Sequence, residues 1–95
     1  MTELPSSEEL TAEQASAAQI NATSGGDLLM WTIYKSPSDY PGKFIARPYS
    51  VRRNALFRYH LAAGDIDRLR HMLPPGLVRF DRHPEDEEQI VETWF

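Results

Sequence analysis

The sequence predicts an α+β fold: a mostly antiparallel sheet of about five strands, in the order β-β-β-α-β-β, with one helix packed on one face. Three observations carry this reading. Several segments alternate apolar and polar residues with period two and are rich in aromatic and β-branched side chains. One segment carries an apolar stripe of helical spacing. Proline and glycine clusters separate the segments.

The first strand is expected over 28–35, with Leu29, Trp31 and Ile33 on one face and Met30, Thr32 and Tyr34 on the other. It ends at Ser36-Pro37. The link that follows is too long for a two-residue hairpin, and its Pro41-Gly42 suits the centre of a type II turn. A second strand is expected over 43–49, where Pro48 places the strand end at an edge. Residues 55–61 alternate again, with Ala55, Phe57, Tyr59 and Leu61 opposed to Leu56, Arg58 and His60. Asp65 is placed to cap a helix whose stripe is Ile66, Leu69 and Leu73, widened by Met72. Arg68 and Arg70 are expected to face water, and Pro74-Pro75-Gly76 ends the helix. Short strands over 77–80 and 90–95 complete the sheet.

Residues 1–26 read as a flexible or loosely docked acidic N-terminal arm, and 27–95 as a single small domain. Thr11 and Gln14 have capping-box spacing for a short helix over 12–20, but its apolar side chains are mostly alanine. Ser24-Gly25-Gly26 reads as a joint.

Composition narrows the chemistry. With no cysteine there is no disulfide, thiolate nucleophile or thiolate metal site. The net charge of −4 hides a segregation, because all ten lysines and arginines lie between Lys35 and Arg82 while acids crowd both flanks. The start MTELPSSEEL lacks the pattern of a signal peptide, so a cytoplasmic location is expected. No apolar run reaches the length of a membrane span.

The segments WTIY, DYPGKFIAR, LPPGLVRF and RHPEDEEQIVETW together resemble a group of small uncharacterised bacterial proteins. In that group a WTIY strand, a Tyr-Pro turn, a Phe-x-Ala-Arg strand and a Pro-Pro-Gly-Leu element lead into an Ile-Val-Glu-x-Trp ending. The likeness covers about residues 30–95. It implies a bacterial or phage-borne origin and brings no catalytic residue or cofactor with it.

If the helix covers Trp31, Ile33, Phe44, Phe57 and Phe80, the other face presents Tyr34, Arg47, Arg58, His60 and Arg79, together with Thr32 and Tyr49. Should Glu92 face that side, Trp94 comes with it by parity. Guanidinium groups pair two-pronged with carboxylates or phosphates, and rings anchor partners. The expected function is therefore a small binding or regulatory protein. It would contact a protein partner, a second copy included, through this Arg/aromatic face or an exposed strand edge. The plainer account has the arginines pairing with Glu92 on a solvated face.

Two alternatives come from other classes. The basic, aromatic stretch VRRNALFRYH suits nucleic acid, though the acidic flanks oppose it. An enzyme would use His60, His71 or His83 with a neighbouring acid for proton transfer. No metal-ligand spacing, nucleophile elbow or phosphate loop supports that enzyme, and no cofactor is expected.

Overall fold

The computed structural model describes residues 7–38, 40–86 and 88–95. Residues 1–6 of the predicted arm, Asp39 of the link and Glu87 between the last two expected strands lie outside the described residues. The chain runs β1 (Glu8–Glu9), α1 (Ala12–Ser24), β2 (Leu29–Lys35), β3 (Phe44–Ser50), β4 (Ala55–Leu56), β5 (Tyr59–Ala63), α2 (Ile66–Met72), β6 (Arg79–Asp81) and β7 (Ile90–Trp94). The class is α+β, as expected. The sheet has seven strands rather than five, ordered β1-β5-β3-β2-β7-β6, with β4 also paired to β3. It is mixed: β1 joins β5 in parallel, and the other pairings are antiparallel.

Two departures account for the extra strands. The expected strand over 55–61 breaks at Phe57-Arg58. Tyr49 opposes Leu56, while Ala46 already opposes Leu61, so the second partner of β3 carries extra residues and bulges. The other strand comes from the arm. Glu8 N–H donates to the Arg58 carbonyl at 2.9 Å and Leu10 N–H to that of His60 at 2.8 Å. Residues 8–10 of the arm are therefore hydrogen-bonded along the edge of β5.

Helix α1 begins with the capping box that Thr11 and Gln14 predict. Gln14 N–H donates to Thr11 Oγ1 at 3.2 Å, and Thr11 N–H donates to Gln14 Oε1 at 2.8 Å. Its alanines are what let it dock. Ala15 is fully buried and Ala22 packs on the core, so the helix approaches the sheet closely. Gln19 Oε1 accepts the indole N–H of buried Trp31 at 2.8 Å, giving that donor the partner it needs inside a core. Replacing Thr11 by alanine is expected to cost about 1 kcal/mol of stability, measured by urea denaturation. A change within error would mean that α1 contributes nothing to the cooperative unit.

Helix α2 is capped as expected, with Arg68 N–H donating to Asp65 Oδ1 at 2.8 Å. Leu69 and Leu73 enter the same core as Ala15, Leu29, Trp31, Ile33, Ala46, Leu61 and Ala63. Both helices therefore lie on one side of the sheet, the side of Trp31. Gly42, with φ +78°, occupies the turn before β3 in the left-handed region that glycine tolerates. No helix among the described residues is long and apolar enough to cross a membrane.

Candidate interaction surface

Register decides what the side of the sheet away from the helices carries, since directly opposed residues share a face. Met30 opposes Tyr49, which opposes Leu56. Thr32 opposes both Arg47 and Thr93, and Thr93 opposes Phe80. Tyr34 opposes Ile45 and Ile90, and Ile45 opposes Ala62. These three rows lie on the side away from the helices.

Further residues extend the rows. Val51 N–H donates to the Leu28 carbonyl at 3.0 Å, carrying the ladder one pair past Leu29/Ser50 with the parity of Tyr49 and Met30. At the other margin Val78 and Phe95 exchange two backbone hydrogen bonds, at 3.0 and 3.1 Å, and the Phe95 ring stacks on Phe80 with centroids 4.4 Å apart.

The predicted site residues divide. Tyr34 and Arg47 lie on the open face, each half-buried. Arg58 is exposed, with the parity of His60, in the break between β4 and β5. His60 has that parity too but is not displayed. It is 0% exposed, its Nδ1 lies 2.7 Å from Ser7 Oγ, and the Tyr40 ring lies against it at 4.9 Å. The docked arm and the link between β2 and β3 cover it, and neither covering follows from strand parity. The other two histidines are engaged locally. His71 Nδ1 meets the Asp67 carbonyl at 2.7 Å, and His83 Nδ1 accepts from Glu85 N–H at 3.1 Å. Among the described residues no group of three or more acids and histidines is placed to hold a metal ion.

Arg79 and Trp94 fall on the opposite side from the one expected. Arg79 opposes Trp94, which opposes Trp31, so both face the helix layer. Arg79 reaches Asp81 Oδ1 at 3.8 Å. Phe80 correspondingly belongs to the open face and not to the core. In a strand of three residues, one apolar ring is weak evidence of which side is buried, and a slip of one residue exchanges the faces.

Glu92 also faces the helices. It is 2% exposed and is gripped by Arg70 of α2, through Nε to Oε2 at 3.0 Å and NH2 to Oε1 at 2.6 Å. The Trp94 indole N–H donates to Oε2 as well. Burial pushes the Glu92 carboxyl up, but the bonds from Arg70 and Trp94, with the charges of Arg70 and Arg79, outweigh it. The group is held below the usual carboxylate range. Arg70, expected in water, is therefore the partner of the buried acid, and its own pKa is raised by the Glu92 bond. Asp67 also meets Arg70, at 3.1 Å.

One cluster escaped the sequence reading as a unit. Phe57 and Tyr59 stack at 5.1 Å between centroids, the Arg53 guanidinium lies 5.8 Å from the Phe57 ring centre, and Arg52 is alongside. The basic and aromatic character of VRRNALFRYH was the available signal. What it lacked was the C-terminal end of α1, which supplies the facing wall. Comparison of the chain with protein-family models, with curated proteins and with solved structures returns no match.

Proposed function

We propose that this chain is a small binding module that docks a protein partner on the open face of its sheet. The observation that carries the reading is where exposed apolar side chains collect. The large exposed ones are Ile20, Leu28, Val51, Leu56, Val78 and Phe80. All but Ile20 have the parity of the open face. Scattered apolar side chains are ordinary on a protein surface, whereas a collection on one face of a sheet marks an interaction surface. Tyr34, Tyr49 and Arg47, of types enriched at interface centres, lie within it. This apolar make-up favours a protein surface over a phosphate backbone, which calls for an array of cations.

Site-specific photo-cross-linking tests the reading. A photoreactive side chain at Phe80 or Leu56 is expected to form a discrete protein adduct in cells expressing the chain. The same group at Ile20, on α1, is expected not to. The adduct mass separates a second copy from a different protein. Equal labelling at all three positions, or adducts to nucleic acid alone, would remove the proposed surface.

A further inference from the structure

A cleft of about 650 Å³ opens on the helix side of the sheet, away from the docking face. Its lining joins two stretches distant in sequence, 18–27 and 52–59. Ala18 and Ala22 of α1 form an apolar wall with Asn21 beside them, and Gly25 and Asp27 follow the helix. Arg52 and Arg53 come from the turn after β3, and Phe57 and Tyr59 from the break before and the start of β5. The volume lies in the range of small-molecule sites.

The charges in the cleft are not equally engaged. Asp27 is committed to holding the turn. Its Oδ2 accepts from Ser50 Oγ at 2.6 Å, while its Oδ1 accepts from Leu28 N–H at 2.8 Å and Arg52 N–H at 3.0 Å. Ser50 Oγ in turn accepts from Arg53 N–H at 3.0 Å. The Ser50 bond leads the causes that hold the Asp27 carboxyl below its ordinary value, so its charge persists at neutral pH. Arg52 donates NH1 to the Gly25 carbonyl at 2.6 Å, which sets one guanidinium against the negative end of α1. Arg52 thereby offsets the helix end, while the charge of Arg53 also acts on the Asp27 carboxylate. The Arg53 guanidinium lies over the Phe57 ring, a cation–π arrangement that leaves its N–H fork available to an oxyanion. Burial raises the Tyr59 hydroxyl above its ordinary value, so it is a neutral donor at physiological pH.

We infer that this cleft binds a small organic anion with a planar ring, the ring lying against Phe57 and Tyr59 and the oxyanion meeting Arg53 and Arg52. An oxyanion alone would leave the aromatic pair and the alanine wall in contact with water. A neutral ring alone would leave the cationic fork unused. Carboxylate and phosphate share the required chemistry, and the choice of probes distinguishes them.

The test is an NMR titration of the full chain with benzoate and with adenosine monophosphate, each up to about 10 mM. Inorganic phosphate and adenosine serve as probes lacking one of the two features. At least one of the first pair is expected to give saturable shifts at Phe57, Tyr59, Arg53 and Ala22, with inorganic phosphate and adenosine at least about tenfold weaker. Benzoate alone would identify an aromatic carboxylate, adenosine monophosphate alone a phosphorylated nucleoside, and both together a general oxyanion site. Arg53→Gln, an exposed substitution whose fold is checked by circular dichroism, is expected to weaken binding about tenfold or more, through loss of a charge-assisted hydrogen bond. No saturable shifts with either probe, shifts mapping elsewhere, or unchanged affinity in Arg53→Gln would overturn the inference. Because the probes and readout involve neither Phe80 nor Leu56, the result is independent of the docking surface.

Discussion

Truncating Trp31 to alanine is expected to lower the unfolding free energy by about 3–5 kcal/mol. A domain of this size has about 5–15 kcal/mol in total, so much of its stability is at stake. Trp31 is 0% exposed and lies in the central strand β2, beneath α1. Its removal empties the largest side-chain volume in the core and leaves Gln19 Oε1 without its donor. Gln19→Met separates the two effects. It removes only the bond to the indole, and about 1–3 kcal/mol is expected because a buried N–H is then left unmet. Urea denaturation followed by far-ultraviolet circular dichroism reads both variants without relying on tryptophan fluorescence. A Trp31→Ala loss below about 1 kcal/mol would show that the α1–β2 contact is not part of the folded core.

Breaking the Arg70–Glu92 pair is the second large effect. Either Glu92→Gln or Arg70→Met is expected to destabilise by about 3 kcal/mol, at the low end for a buried pair because the Arg70 side chain is 29% exposed. Replacing both by apolar residues of similar size is expected to restore most of that loss, since neither charge is then stranded. The pH dependence has a definite sign. The carboxyl of Glu92 sits below its unfolded value of about 4.3. Its contribution is therefore fully present above that value and is lost as pH falls through the folded one. The wild-type chain is expected to lose stability more steeply than Glu92→Gln on acidification below about pH 4.5. Parallel curves for the two proteins would mean that Glu92 is not ionised and paired in the folded state.

Legibility from sequence was uneven, for identifiable reasons. Local signals read correctly. Thr11 with Gln14 and Asp65 before Ile66 each mark a helix start, because capping is a contact between neighbours in the chain. Leu29, Trp31 and Ile33 separate from Met30, Thr32 and Tyr34 because a pleated strand leaves no alternative. The docking of α1 was not legible. Alanines bury little area each, and the partner that makes the helix worth docking, Trp31, is twelve residues from Gln19.

The candidate site shows the same division. Tyr34 and Arg47 share a face by the alternation of β2 and β3 together with their pairing. Arg79 and Trp94 left that face, and Phe80 joined it, through the register between β6 and β7. His60 left the surface through contacts made by Ser7 and Tyr40.

By itself, then, the order of residues determined the class of fold, the helix starts and which side chains within a strand stand together, all consequences of backbone geometry over a few residues. Only the tertiary structure decided which of the two faces each strand turns toward the helices, that Arg70 rather than a sheet arginine reaches Glu92, and that α1 closes a cleft over Phe57 and Tyr59. Those outcomes depend on pairing between segments far apart in the chain, where a shift of one residue exchanges the buried and exposed sets.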